Sequence, residues 1–267
     1  MRVAVVIPTY NERENIVLLI RELARILRAN KIDFEIIVVD DNSPDKTAEA
    51  VLELRNKNYF ERSEKKGSAE RSEVGSYELR NKLHLISRPK KEGLGKAYLE
   101  GFEYALKNGT DYIITMDADF SHNPEDVPRL LKKAKDAKHP NGADVVVGSR
   151  YIDGGDMLEP PSKKLISKAA ITVARTLLGL KIHDVTAGFK CYSRRFVKSL
   201  LPNNIDASGY AFQVETIKKA EENNFKVIEI PIVFRRRKRG SSKLTLREAV
   251  ESGRALMRIY WNHLLRR

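Results

Sequence analysis

The chain alternates short apolar runs with longer segments in which apolar residues recur at helical spacing. Apolar or mostly apolar runs, each typical of a buried strand, cover residues 3–7, 34–39, 83–86, 112–115 and 143–147. Helical spacing covers residues 14–28, 47–55, 93–107, 125–135 and 163–180, and a further helix begins near residue 209. Strands that alternate with amphipathic helices predict an α/β fold built on a parallel sheet.

The last part of the chain has a different pattern. Residues 227–234 predict a strand that Pro231 interrupts, which indicates an edge strand or a bend. Residues 245–267 combine apolar side chains at helical spacing, Trp261 among them, with many arginines. Such a helix either lies at a membrane or partner surface or packs its apolar face on the domain core, and both interpretations stay open.

These patterns predict one α/β domain over residues 1–244, followed by an amphipathic basic helix over residues 245–267. Within the domain, residues 56–82 are rich in charged side chains and poor in apolar ones. A segment of this composition cannot bury enough apolar surface to order itself. We therefore expect a mobile surface insertion there.

Composition narrows the class of protein. The chain has 267 residues, of which 42% are hydrophobic, and a single cysteine, Cys191, so an intramolecular disulfide and a Cys/His zinc cluster are excluded. It enters a strand at once without the features of a signal peptide, and no run reaches the roughly 18 apolar residues of a membrane span. We expect a cytoplasmic protein that does not itself cross a membrane. The net charge of +13, concentrated in residues 231–267, favours an anionic partner such as nucleic acid, phosphorylated metabolites or a membrane surface.

Two carboxylates follow the apolar run at 112–115. Asp117 and Asp119 are two positions apart, so on an extended chain their side chains converge on one face. They repel each other unless a cation lies nearby, and hard ions such as Mg²⁺ or Mn²⁺ suit oxygen ligands. A turn explains an isolated pair of this kind equally well. However, the ends of the first two strands also carry polar residues, and ligands of parallel α/β sheets bind at the carboxyl ends of strands.

Basic side chains could hold phosphate beside this acidic cluster. Arg150 follows the strand at 143–147 and is our first candidate for a phosphate clamp. Further candidates to hold a substrate phosphate are Lys168, Arg175 and Arg194. We expect His122 to orient the loop that contains the two aspartates, rather than to act as a base.

Six short motifs together resemble one known family. They are PTYNE at 8–12, DDNSPD at 40–45, GLG at 93–95, DADFSH at 117–122, GSRY at 148–151 and GYAFQVE at 209–215. In order and spacing they resemble the inverting GT-A glycosyltransferases of family 2, and among these the dolichol-phosphate mannose synthases, over residues 1–244. The resemblance implies a Rossmann-like, mixed but mainly parallel sheet flanked by helices. It also implies metal-dependent, inverting transfer of mannose from GDP-mannose to a polyprenyl (dolichyl) phosphate at the cytoplasmic membrane face.

The resemblance further implies a role for individual residues. Guanosine and ribose would be lined by Pro8, Tyr10, Glu12, Val39 and Asp41. Asp117 and Ala118 would contact the nucleotide sugar, and Asp119 and Ser121 would hold Mg²⁺ or Mn²⁺. Arg150 would bind phosphate or sugar near the reacting centre, which makes Asp117, Asp119 and Arg150 the expected catalytic set. Arg237 and Lys243 would close over the diphosphate.

Some relatives carry glutamine at the position of Ser121, so a water could intervene between this shorter side chain and the metal. Many microbial relatives continue into transmembrane helices, whereas this chain resembles a shorter form. Membrane contact is therefore expected through the C-terminal helix or a separate membrane subunit.

Two alternatives to this function stay open. The first is a related transferase that uses UDP-glucose or another UDP-sugar. The second is a nucleic-acid binding module, suggested by the net charge and the basic run at 235–239. The second leaves the acidic strand ends unexplained and lacks a recognisable RNA- or DNA-binding motif, so we expect no nucleic-acid partner.

Overall fold

This computed structural model describes residues 1–56, 79–136, 142–201, 205, 209–236 and 253–261. The strands are β1 (Arg2–Thr9), β2 (Asp33–Asp40), β3 (Leu83–Ser87), β4 (Tyr112–Thr115), β5 (Val145–Ser149), β6 (Asp156–Met157), β7 (Lys190–Ser193), β8 (Val227–Pro231) and β9 (Val233–Phe234). The helices are α1 (Arg13–Ala29), α2 (Thr47–Asn56), α3 (Leu94–Lys107), α4 (Val127–Ala134), α5 (Pro161–Leu178), α6 (Arg194–Leu200), α7 (Gly209–Glu222) and α8 (residues 253–261).

Seven of these strands form a mixed, mainly parallel sheet in the order β3-β2-β1-β4-β7-β5-β8. Parallel pairing joins β1 to β2 and β4, β2 to β3, and β5 to β8. Strand β7 lies antiparallel between β4 and β5. The predicted α/β class is confirmed, but the apolar pattern missed β7, because this four-residue strand begins with a lysine.

Apolar side chains cover both faces of the sheet, as expected for buried parallel strands. In β1, Val3, Val5 and Ile7 pack into a first core cluster with α1, α2 and α4. The alternate residues Ala4 and Val6 pack into a second core cluster with α3, α5, α6, α7 and α8. The period of two along the strand therefore places one helical layer on each face.

The ends of two predicted strands differ from expectation in detail. Strand β1 continues through Pro8, which pairs with Val39, and ends at Thr9. At the other side of the sheet, β8 is the edge strand and ends at Pro231, as predicted. The chain then continues into β9, which pairs with β6 in a separate two-stranded sheet.

Several predictions concern residues outside the described part of the chain. Residues 57–78 of the predicted insertion and most of the predicted helix at 245–267 belong to this group, as do Arg237 and Lys243. The division into a domain and a terminal helix therefore stays a prediction.

Helix α3 lies close against β1 at Gly101. A methyl group there would approach Cγ1 of Val6 to 2.4 Å, well inside van der Waals contact. We expect Gly101→Ala to lower the free energy of unfolding by about 1–3 kcal/mol, because overpacking pushes the helix away from the sheet. Gly253→Ala is the matched control, since no atom of the described residues lies within 4 Å of the added methyl group. Urea unfolding measures both variants, and an unchanged midpoint for Gly101→Ala would contradict this packing.

Candidate active site

Polar loops from three neighbouring strands meet at one edge of the sheet. Strand β1 pairs with β2 on one side and with β4 on the other, so their carboxyl ends are adjacent. Thr9 joins the first two ends, because its hydroxyl donates to Oδ1 of Asp40 at 2.8 Å and its carbonyl accepts from the Asp41 N–H at 3.0 Å. The predicted meeting of the acidic strand ends is thus present in the fold.

The loop after β4 holds its two aspartates in different environments. Asp119 is buried, and its Oδ1 accepts the Ser121 N–H at 3.0 Å across Phe120, which adopts a left-handed φ of 63°. By contrast, the Asp117 side chain is 36% exposed. One carboxylate is therefore buried within the loop, while the other is partly exposed to solvent.

His122 folds this loop back on itself. Its Nδ1 accepts the Asp117 N–H at 3.2 Å, and its ring stacks on Phe189 at a centroid distance of 4.9 Å. Burial lowers the pKa of His122, although Asp117 and Asp119 oppose this effect. A neutral imidazole whose Nδ1 already accepts a hydrogen bond suits the predicted orienting role.

The same loop offers oxygen ligands for a hard cation. The Ser121 hydroxyl is buried and has no hydrogen-bond partner among the described residues. Buried polar atoms are almost always satisfied, so an orphaned hydroxyl in the same loop as two carboxylates fits a metal site. Within the described ranges, no group of three His, Cys, Asp or Glu side chains could hold a metal. A cation here would therefore keep waters or substrate oxygens as further ligands.

Tyr98 of α3 lies beneath these carboxylates, and the sequence did not single it out. Its side chain is fully buried and stacks on Phe212 at 5.6 Å. Burial, followed by the negative charge of Asp117, raises the pKa of Tyr98 well above its usual range. The Tyr98 side chain is thus a neutral phenol under the loop that carries Asp117 and Asp119, which we call the acidic loop.

The residues expected to line the nucleoside lie at the ends of β1 and β2. The pair Pro8 and Val39 is in register across these strands, and the Val39 side chain is fully buried in the second core cluster. Glu12 is the N-cap residue of α1, and its Oε2 accepts from Nδ2 of Asn15 at 2.9 Å. The Lys91 ammonium lies 4.3 Å from the ring centroid of Tyr10.

Asp41 and Ala118, the remaining members of the expected donor site, are both buried. The Asp41 carboxylate forms an ion pair with Arg88 and accepts the Gly93 N–H at 3.0 Å. The Ala118 side chain packs into the first core cluster. Apart from Arg150, which follows β5, the expected donor residues within the described ranges therefore lie along the edge formed by β1, β2 and β4.

Arg150 is held by a partner that the sequence did not reveal. Its Nε and Nη2 bond to the two carboxylate oxygens of Asp184 at 2.7 and 2.8 Å, and Nη2 also reaches the Thr186 hydroxyl at 3.0 Å. Asp184 is fully buried. The Phe234 ring lies 5.4 Å from the Arg150 guanidinium and 5.5 Å from the His122 ring, which places Arg150 near the acidic loop.

The other basic candidates are less suitably placed. Arg194 donates to the carbonyl oxygens of Thr110 and Leu106 at 2.8 and 3.2 Å, next to the start of β4. It therefore lies at the opposite end of the sheet from Asp117, and its prediction as an acceptor-phosphate ligand is wrong. Lys168 and Arg175 both belong to α5, where Lys168 is exposed.

Sequence reasoning also missed a buried lysine next to the site. Lys190 of β7 is fully buried, and its Nζ donates to the side-chain and backbone oxygens of Gln213 at 2.8 and 3.0 Å. Burial lowers the pKa of Lys190 to about 7. Since Gln213 belongs to the GYAFQVE motif, this contact joins the start of α7 to the strand beside β4. In the sequence, this contact was indicated by nothing more than the presence of a lysine two residues after Gly188.

Comparison with known proteins defines the class. The model of glycosyl transferase family 2 matches residues 4–201. A polyprenol monophosphomannose synthase of Mycolicibacterium smegmatis is 39% identical over 253 residues, which are 93% of this chain and 84% of that protein. An undecaprenyl-phosphate mannosyltransferase of Micrococcus luteus is 35% identical over 246 residues, 92% of this chain and 88% of the relative. The chain therefore belongs to glycosyl transferase family 2, and the prediction of a glycosyltransferase is confirmed.

Solved structures confirm the GT-A fold. A mannosyl-3-phosphoglycerate synthase from Rubrobacter xylanophilus matches with a TM-score of 0.62 and 17% identity, over 99% of this chain and 74% of that one. A glucosyl-3-phosphoglycerate synthase from Mycobacterium tuberculosis, solved with Mn²⁺, UDP and glucosyl-3-phosphoglycerate, matches with a TM-score of 0.60 and 16% identity. That match covers 96% of this chain and 77% of the other.

The Arg150–Asp184 pair yields a stability prediction. We expect Asp184→Asn to lower the free energy of unfolding by about 3–5 kcal/mol, because it leaves a mostly buried guanidinium without its counter-charge. Glu22→Gln, which breaks an exposed pair with Arg25, is the control and should cost at most about 1 kcal/mol. Denaturant unfolding at neutral pH separates the two. If both variants lost the same free energy of unfolding, the buried Arg150–Asp184 pair would contribute no more to stability than an exposed pair does.

Proposed function

We propose that this chain transfers mannose from GDP-mannose to a polyprenyl phosphate, with inversion at the anomeric carbon. The observation that carries the proposal is the loop of Asp117, Asp119 and Ser121, with its orphaned buried hydroxyl, at the carboxyl edge of a family 2 fold. The names of the two bacterial relatives support mannose and a polyprenyl phosphate as the transferred group and the acceptor.

A divalent cation fits the donor side of this proposal. Its ligands would be Asp119 and Ser121, with Asp117 beside them, and glycosyltransferases of the same fold have been solved with Mn²⁺ or Mg²⁺. When bound, such an ion stabilises the negative charge that develops on the departing diphosphate. Arg237 and Lys243 remain our predicted side chains for closing over that diphosphate.

The acceptor side needs little acid–base chemistry. A phosphate monoester is already largely ionised at neutral pH, because its second pKa is about 6. Its oxygen can therefore attack the anomeric carbon without a general base, and attack opposite the departing diphosphate inverts the configuration. This agrees with a buried His122 whose Nδ1 is occupied. Arg150, oriented by Asp184, is the first candidate to hold the acceptor phosphate or sugar.

The donor assignment is tested first by nucleotide binding and by removal of one metal ligand. We expect GDP and GDP-mannose, but not UDP, to bind in calorimetric titrations with Mn²⁺ or Mg²⁺, and chelator to abolish binding.

Asp119→Ala should lower the rate of mannose transfer by about 100-fold or more, because the charge on the leaving group loses its stabilisation. Asp153→Ala, an exposed aspartate, is the control. Selective binding of UDP would mean that the donor is a UDP-sugar instead of GDP-mannose. Normal turnover by Asp119→Ala would contradict the metal site.

Exposed apolar side chains favour one surface for the lipid. Among the described residues, those that are large, apolar and exposed are Met1, Leu18, Leu158, Leu165, Ile166, Val173, Val233, Met257 and Trp261. Five of them lie on α5 and α8, and both helices pack their inner faces on the second core cluster. Lysines and arginines alternate with these side chains, as in helices that lie in a membrane interface.

The terminal helix fits both interpretations of its pattern. Ala255 and Ile259 pack into the core, whereas Met257 and Trp261 are exposed beside Arg254. Within the described residues, no helix combines the length and the apolar character that crossing a bilayer requires. We propose that the outer faces of α5 and α8 contact the membrane that carries the acceptor, at its cytoplasmic side. A separate membrane subunit remains the alternative partner.

Vesicle binding tests this surface. We expect the double variant Leu165→Glu/Ile166→Glu to bind anionic phospholipid vesicles at least about tenfold more weakly in flotation, because it removes two apolar side chains and adds two negative charges. Leu18→Glu is the matched control, since Leu18 is exposed on α1 at the other face of the sheet. Equal binding by wild type and the double variant would exclude α5 as the contact.

A further inference from the structure

We propose that Arg88 is a positioning residue that fixes the Asp41 carboxylate and thereby sets the affinity and base preference of the donor site. The inference rests on the proposed function, because it assigns a role to Asp41 in binding the nucleoside. Arg88 was not among the residues predicted from the sequence. It follows β3 directly and is buried.

Every nitrogen of the Arg88 guanidinium has an acceptor. Nη1 contacts Asp41 and the Gly93 carbonyl, the latter at 3.3 Å. Nη2 donates to Oε2 of Glu92 at 2.8 Å, and Nε lies 3.1 Å from Oε1 of Glu100. A planar fork can serve three directions at once, whereas a lysine ammonium at the same place is a single point charge.

These contacts fix Asp41 on both oxygens. Arg88 binds Oδ1, and the Gly93 N–H donates to Oδ2 at 3.0 Å. The side chain of Asp41 is only 7% exposed, so a small part of its surface remains accessible. Because each carboxylate oxygen accepts more than one hydrogen bond, the Asp41 carboxylate can still receive an N–H or O–H group of a nucleoside. Arg88 therefore determines the orientation of this carboxylate.

Arg88 also anchors the loop at residues 88–93, which lies next to the expected nucleoside site. Its own N–H donates to the Asp40 carbonyl at 2.9 Å, and Nδ2 of Asn42 donates to the Pro89 carbonyl at 3.2 Å. Lys91, further along the same loop, lies over the ring of Tyr10. The loop at residues 88–93 is thus tied to the strand ends that carry two of the expected donor residues.

Substitution of Arg88 should change donor binding more than turnover. We expect Arg88→Met to raise the Kd of GDP and the KM of GDP-mannose at least tenfold, with kcat within about threefold of wild type and an unchanged KM for the acceptor. The preference for GDP, expressed as the UDP dissociation constant divided by the GDP dissociation constant, should fall. Arg88→Lys should lie between wild type and Arg88→Met. Glu100→Gln is the matched control, because it removes the charge of an Arg88 partner that does not contact Asp41 in the described hydrogen bonds, while its amide oxygen can still accept from Nε of Arg88. It should bind GDP as wild type does.

A double-mutant cycle shows whether Arg88 acts through Asp41. If it does, Arg88→Met adds little to Asp41→Asn, so the double variant binds GDP about as weakly as Asp41→Asn alone. Additive losses, or a kcat effect without a change in donor KM, would overturn the inference. Circular dichroism checks folding, and Arg88→Lys carries the test should Arg88→Met not fold. Wild type that binds no guanine nucleotide overturns the proposed function as well, whereas normal wild-type binding with unaffected Arg88 variants overturns this inference alone.

Discussion

Carboxylates that meet at one edge of a sheet repel each other, and the arrangement of this site follows from how each charge is balanced. Parallel pairing of β1 with β2 and β4 brings the acidic strand ends together. Asp40 is bonded by Thr9, Asp41 by Arg88 and Asp119 by the Ser121 N–H. These acidic side chains can meet at one edge of the sheet because each of the three buried carboxylates already has a hydrogen bond or an ion pair within the protein.

What remains unsatisfied marks where a ligand fits. Among the described residues of the acidic loop, the orphaned group is the Ser121 hydroxyl, and Asp117 is the more exposed of the two aspartates. A site that satisfied every group internally would leave nothing for a cation to replace. The loop therefore combines a fixed part, held by His122, with a small open part that has the oxygen chemistry of a hard metal ion.

Periodicity was sufficient for the fold because most strands here are buried on both faces and most helices have one apolar side. It failed for β7, where Lys190 breaks the apolar run although the lysine is buried. The site was predictable where it consisted of residues at strand ends, such as Asp117 and Asp119. Arg88, Asp184 and Tyr98 were not predictable, because their importance comes from long-range contacts that one sequence does not encode as a local pattern. The prediction for Arg194 was wrong because sequence alone does not show which end of the sheet a basic residue occupies, and Arg194 lies next to the start of β4.

The pairing of Arg150 with Asp184 bears on the phosphate clamp that we propose for Arg150. An unpaired arginine would attract any anion, whereas Asp184 compensates its charge and holds two of its nitrogens. Asp184 also opposes the effect of burial on the pKa of Lys190, so the loop that follows α5 carries one negative charge between two basic groups. Such a balance favours recognition by direction over attraction by net charge, because Asp184 holds the Arg150 guanidinium in one orientation. The high overall charge of the chain and the charge balance around Arg150 are therefore separate properties, carried by different residues.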